Sequence, residues 1–293
     1  MSVLPEEFQL SSTGRELIAD AVAKFLLGIV LLFALFPIWM MIITSFNERS
    51  QLLQSGVTLI PTTFHVENYI NMWNRFPLVD YFLNSLIISG ATTVICLLVA
   101  SLAAYSFSRY DFPGKDLFGL TILSTQMIPG VLILIPMFMM FITIQERLMI
   151  DMVNTYHGII FIYSTFTVPF AIWMLRGYFD TIPTALEEAA RIDGCTRTQA
   201  LFYIVLPLAL PGIAATGMFV FIIAFNEVLF ASVMASDNVT PFAIGIQEFN
   251  TNTRTYWTEM MAAATVSSVP LLLIFVLFQR QIVSGLTAGG VKQ

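Results

Sequence analysis

Six long stretches of this chain contain no Asp, Glu, Lys or Arg, and nothing else in the sequence restricts its fold so tightly. They run from Phe25 to Asn47, Phe82 to Phe107, Leu117 to Ile144, Met152 to Leu175, Pro211 to Asn226 and beyond, and Met260 to Gln279. A helix needs about 20 mostly apolar residues to cross the hydrocarbon core. The fifth stretch is interrupted by Glu227 and resumes as VLFASVM. In lipid every backbone polar group must be satisfied within its own segment, so stretches of this length are expected as helices. The pattern predicts an all-α polytopic membrane protein with six spanning helices, surrounded by membrane lipid.

Composition agrees. Only 11% of the residues are charged, against roughly 25% in a soluble domain. The net charge of −6 removes a basic nucleic-acid surface, so no nucleic-acid partner is expected. Two cysteines cannot build a disulfide framework, and two histidines leave little material for a metal centre. No metal ligand is assigned.

Orientation follows from the positive charges. With both termini in the cytoplasm, nine basic residues (Arg15, Lys24, Arg109, Lys115, Arg176, Arg191, Arg197, Arg280 and Lys292) fall inside and four (Arg49, Arg75, Arg147 and Arg254) outside. The first stretch lacks a small-residue cleavage site and follows an acidic segment, so it reads as a retained anchor. Residues 1–22 are thus an inner amino-terminal segment, 23–280 the transmembrane domain and 281–293 an inner tail. Outer loops are expected at 48–81 and 235–259.

The inner stretch after the fourth span, TIPTALEEAARIDGCTRTQALFYIVLPLALPG, carries strong local signals. Pro183 suits a first helical turn. Glu187 and Glu188 lie near the positive end of the dipole. Gly194 accepts the left-handed backbone that ends a helix, and Thr196 with Gln199 has capping-box spacing. A short helix, a sharp turn and a second helix are predicted. Ala185, Ala189 and Ile192 share one face of the short helix, with Leu186 and Ala190 beside it. Glu188, Arg191 and Asp193 offer polar anchors at its rim. Physics alone leaves two readings open: an amphipathic helix on the membrane surface, or a protruding docking helix.

Glu188-Ala189-Ala190, three residues, Gly194, nine residues, Ile204, one residue, then Leu206-Pro207 resembles the EAA loop of ABC importer permeases. IPTALEEAARIDG, RYDFPGKD, PFAIWMLRGYF and FQRQIVSGLTAGGVKQ resemble the carbohydrate-importing, maltose-type branch. Cys195 and Thr196 stand where that branch often has Ala-Ser. The resemblance implies a type I ABC importer permease fold that forms half of a sugar path. It implies a second homologous permease in a heterodimer, two cytoplasmic ATPase subunits and an extracytoplasmic sugar-binding protein. It assigns ATPase coupling to Leu186, Glu187, Glu188, Ala189, Ala190, Ile192, Asp193 and Gly194, within a loop at 181–210. It also gives a tail contact to Gly285, Leu286, Thr287 and Gly289. ATP and Mg²⁺ are expected on the partner ATPase, with no cofactor and no catalytic residue in this chain.

The residues agree on the last point. Gly114-Lys115 lacks the glycine and the following Ser or Thr of a phosphate-cradling loop. There is no HExxH, CxxC or GxSxG. Within the spans, Glu227 beside Asn226 is a costly carboxylate that suggests function by default, with outer-side access to water as the competing account. Pro129, Pro136, Pro169 and Pro270 are expected inside spans, where breaks often line a substrate path. Asn226, Glu227, Gln126 and Pro129 are the candidate path residues. Gln126, Ser124 and Asn84 can hydrogen-bond either a sugar or a neighbouring helix. An importer of a non-sugar solute such as glycerol phosphate is the alternative reading. An ion-coupled carrier would need more charge at mid-membrane.

Overall fold

The computed structural model describes residues 12–48, 60, 63–236 and 238–290. Residues 1–11, Arg49 and Lys292, used above, lie outside the described residues. The chain divides into two units, one of residues 1–71 with 256–265 and the other of 72–255 with 266–293.

The described helices are α1 (Ser12–Phe46), α2 (Glu67–Arg75), α3 (Leu78–Arg109), α4 (Lys115–Ser124), α5 (Gly130–Leu148) and α6 (Tyr156–Phe179). They continue as α7 (Thr184–Ile192), α8 (Arg197–Ala200), α9 (Leu210–Phe225), α10 (Ala231–Met234), α11 (Phe242–Gly245) and α12 (Trp257–Gly290). Among the described residues the only β pairing is a single bridge between Asn250 and Thr255. Among the described residues five helices are long and apolar enough to cross a membrane, and a bent pair ending in α9, taken as one span, makes six.

In the first unit, the Ser45 carbonyl accepts from Asn68 Nδ2 at 2.9 Å and the Ser45 hydroxyl meets Tyr69 Oη at 2.6 Å. Phe46 packs on Phe64 and Tyr69 beside these bonds. The α1 residues Phe25, Leu32 and Phe33 are 69%, 71% and 81% exposed, as suits a helix facing lipid.

The second unit is organised on α3, which runs for 32 residues with no internal proline, about 48 Å at 1.5 Å per residue. Ser89, Thr92, Cys96, Ala100 and Ala104 are fully buried on one stripe of it. Small side chains at near-fourfold spacing let neighbouring helix backbones approach closely, and α6 and α9 pack there. Several hydroxyls on these helices bond to their own preceding turn, such as Ser89 Oγ to the Ser85 carbonyl at 2.6 Å and Thr216 Oγ1 to the Gly212 carbonyl at 2.8 Å, whereas Thr92 Oγ1 has no such bond. Such a bond removes the cost of a free hydroxyl in an apolar setting. Leu98 and Leu102, on the opposite face, are 64% and 55% exposed.

Three spans differ from the sequence expectation. The third is not one helix: α4 stops at Ser124, a tight 3₁₀ turn covers Thr125–Met127, and α5 starts at Gly130. Ile128 is extended, with ψ 119°, a geometry that the ring of Pro129 favours by crowding the helical conformation of the residue before it. Pro129 therefore precedes a helix rather than lying inside one, unlike Pro136, Pro169 and Pro270. The fourth starts at Tyr156, after Asn154 in the left-handed region (φ 57°) and Thr155, whose side chain caps the helix.

The fifth does not run through Glu227. It ends at Phe225, and its VLFASVM continuation supplies only the short α10. At its other end α8 passes through a π turn at Leu201–Val205 and a helical turn at Leu206–Leu208, then bends by 75° into α9. Pro207 and Pro211 each lack the N–H that would bond a carbonyl one turn back.

Candidate functional site

The segment after α6 builds the short element that the sequence anticipates. Pro183 stands at the cap of α7 with φ −58° and ψ 129°. Gly194 has φ +95°, the Cys195 amide donates to the Ala190 carbonyl at 3.0 Å, and the Gly194 amide donates to the Arg191 carbonyl at 3.2 Å. These two bonds make a Schellman end, which satisfies carbonyls that the helix leaves open. The capping box is also formed, with the Gln199 amide donating to Thr196 Oγ1 at 3.2 Å and the Thr196 amide to Gln199 Oε1 at 2.8 Å. Beside it the Arg197 guanidinium lies 5.2 Å from the centre of the Tyr110 ring.

Burial sorts the residues of α7 into two faces. Ala185, Leu186, Glu188, Ala189, Ile192, Asp193 and Gly194 are exposed, and Ile192 is 86% so. An isoleucine this open, on the same helix as Leu186 at 45%, forms an apolar surface that the described residues leave uncovered. Glu187 and Ala190, expected among the coupling residues, point the other way, each at 8%.

Glu187 is held by residues far away in sequence. Tyr105 Oη donates to Glu187 Oε2 at 2.8 Å, and Arg109 Nε forms an ion pair with Glu187 Oε1. Arg109 Nη2 donates to the Ile182 carbonyl at 2.9 Å, and Ser108 Oγ to Asp180 Oδ1 at 2.5 Å. Thus the end of α3 grips both the linker into α7 and the helix itself. Breaking a buried ion pair by removing one partner costs about 3–5 kcal/mol, because a bare charge remains. No spacing signal joins residues 78 positions apart, so sequence reasoning missed Tyr105, Ser108 and Asp180. It treated Arg109 as an orientation charge and as the start of the RYDFPGKD stretch, not as a partner of Glu187.

The other candidate group also comes together. Gln126, in the break between α4 and α5, donates to the Phe166 carbonyl of α6 at 2.8 Å. The Phe166 ring stacks on Phe230 at 4.4 Å. The Phe230 amide in turn donates to Glu227 Oε1 at 2.9 Å. A side chain at Gly130, next to Pro129, would meet Leu229 at 3.3 Å. Two helix breaks, at 125–129 and 226–230, therefore meet across α6. Asn226 Nδ2 bonds back to the Ile222 carbonyl at 2.9 Å, and Tyr163 Oη donates to the Glu227 carbonyl at 3.3 Å. Glu227 thus serves locally as a cap on the next turn, a role that charge counting did not suggest.

At the opposite end of α3, Asn84 Nδ2 donates to the Thr240 carbonyl at 3.1 Å, and Tyr156 Oη to Asn84 Oδ1 at 2.5 Å. Ser85 Oγ accepts from the Phe242 amide at 2.7 Å, and Tyr81 Oη donates to Glu248 at 2.9 Å. Asn84 is therefore occupied by the loop at 238–248. Gly285, Leu286, Thr287 and Gly289 lie on the last turns of α12, whose helix runs on through Gly290.

Residues 96–287 match the family described as binding-protein-dependent transport system inner membrane component. The chain belongs to that family, whose matched region takes in α7, both helix breaks and the end of α3 from Cys96 to Arg109. It is 36% identical to the inner membrane ABC transporter permease protein YcjP of Escherichia coli over 91% of this chain and 94% of that one. It is 37% identical to the trehalose/maltose transport system permease protein MalG of Thermococcus litoralis over 88% of this chain and 91% of that one. The crystal structure of a bacterial ABC transporter involved in importing the acidic polysaccharide alginate has a chain of the same fold. That chain is 24% identical, with a TM-score of 0.74 over 93% of this chain and 98% of its own. The protein is a multi-pass, all-α membrane permease of the ABC importer class.

Proposed function

We propose that this permease carries a sugar or oligosaccharide inward, paired with a second homologous permease, with two cytoplasmic ATPase subunits and with an extracytoplasmic sugar-binding protein. The observation that carries the reading is the uncovered apolar face of α7. Leu186, Ala189 and Ile192 stand open on a helix whose carboxyl end is closed by the turn at Gly194 and whose other face is fastened to its own chain. Such a face is built to receive a cleft on another protein. ATP and Mg²⁺ belong to the ATPase, and both termini of this chain lie in the cytoplasm.

Substrate passes near the meeting of the two helix breaks, at Gln126, Pro129, Asn226 and Glu227. Backbone freed at a break finds partners only in protein or in a water-lined cavity, which is why such breaks mark transport routes. The turns carrying Gly285, Leu286, Thr287 and Gly289 reach towards the ATPase pair. A sugar as cargo is supported by relatives whose names specify trehalose/maltose and arabinooligosaccharides, the latter from Halalkalibacterium halodurans at 34% identity.

Affinity purification of the tagged chain from membranes is the direct test. An ATPase subunit and a second permease should come down with it, and their absence would end this reading. Maleimide labelling of Cys195 in sealed cells checks orientation: the thiol should react only after permeabilisation. Calorimetry on the genomically adjacent binding protein, titrated with maltose, trehalose and an arabino-oligosaccharide, identifies the cargo.

A further inference from the structure

The linker from α6 into α7 is not helical. Asp180 to Pro183 is a turn, and Pro183 is extended. A turn of this kind transmits displacement poorly by itself, yet the segment is fastened sideways. Both oxygens of the Glu187 carboxylate are occupied by α3, one by Tyr105 and the other by Arg109. The same guanidinium holds the Ile182 carbonyl, and Ser108 holds Asp180. The Arg109 and Glu187 side chains are only 9% and 10% exposed, so this carboxylate is not available to an outside protein. Its neighbour Glu188 is. Low exposure also keeps the pair from being screened by salt.

We infer that Glu187 is a positioning residue that clasps α7 to α3, so that the two move as one body when the ATPase pulls on α7. This rests on the proposed ATPase coupling and adds the route by which displacement enters the spans. α3 is the fitting recipient. It is long, free of proline and buried along one stripe, so a push on its Arg109 end is carried along its length.

The test uses the complete complex in nanodiscs, with spin labels at Ser106→Cys on α3 and Thr184→Cys on α7, in a background of Cys96→Ala and Cys195→Ser. Distances are measured by pulsed electron resonance without nucleotide and after ATP–vanadate trapping. The expected result is one narrow distance, identical in both states. Glu187→Gln should lose it, giving a broad or shifted distribution after trapping, and the swap Arg109→Glu/Glu187→Arg should restore it. If the parent distance itself changes on trapping, or if Glu187→Gln keeps the narrow peak, the clasp is refuted while the coupling role of α7 stands. If no ATPase co-purifies with the parent chain, the coupling reading fails first. Should Glu187→Gln not assemble, Tyr105→Phe removes one of the two bonds to the same carboxylate, with the same expectation and the same refuting result.

Discussion

Tyr105 and Glu187 meet through a 2.8 Å hydrogen bond although 82 residues separate them. The phenol sits within the last turns of α3 and the carboxylate on the inward face of α7. With Arg109 it turns a short surface helix into a part of the transmembrane structure. An element held only by its own capping would be marginal, since isolated helices under about 12–15 residues rarely persist in water. α7 has nine residues.

Removing only the phenol should therefore weaken this region. A hydrogen bond to a charged group is worth about 1.5–3 kcal/mol, so Tyr105→Phe should destabilise by about that much. Faster amide exchange in peptides covering 181–195, with little change near Asn84, is the expected signature. Uniform exchange across the chain would contradict it.

Gly194 is the position where backbone strain alone can be tested. Nothing lies within 4 Å of the place a Cβ would occupy, while φ is +95°. A side chain there meets no clash and pays only for the left-handed backbone, about 1–2 kcal/mol. Gly194→Asp should leave the chain in the membrane at normal abundance and abolish uptake, with ATP hydrolysis measured alongside. Uptake at the parent rate in a well-expressed variant would show that the turn is not needed for coupling.

At the far end of α3, Asn84 supplies donors to the loop at 238–248. Asn84→Ala leaves the Thr240 carbonyl and the Tyr156 hydroxyl short of a partner, and each unpaired buried polar group costs about 1–3 kcal/mol. Limited proteolysis should then cut within 238–248 several times faster. An unchanged cleavage rate would mean that Ser85 and Tyr81 hold the loop alone.

Gly212 lies directly against the ring of Tyr178, where α9 passes α6. An added methyl would overlap that ring, and overpacking costs about 1–3 kcal/mol. Gly212→Ala should lower the unfolding temperature of the detergent-purified chain. The double variant Gly212→Ala/Tyr178→Ala should recover part of the loss, because the obstructing ring is gone. Without such recovery, contact with Tyr178 is not the cause.

The helices could be read directly where the cause is local. Most of each charge-free run is helical, Gly194 ends a helix, and Thr196 with Gln199 starts one, because each depends mainly on neighbours within one turn. The break at Pro129 was not legible in the same way: proline disfavours helical geometry in the residue before it, yet Pro136, Pro169 and Pro270 have the same local chemistry and lie inside helices.

The face that α7 turns inward was another matter. Glu187 and Glu188 are adjacent, identical in chemistry and equally polar, and no periodicity separates them. Only the arrival of Tyr105 and Arg109 from another helix makes one an internal anchor and leaves the other in solvent. Glu227 was legible as an anomaly but not as a cap, and Gln126 as a donor but not as the partner of Phe166. Local sequence determined which segments are helices and where the chain turns, because those energies arise within a few residues. Tertiary structure decided which polar groups face one another, because those energies exist only once distant helices have packed.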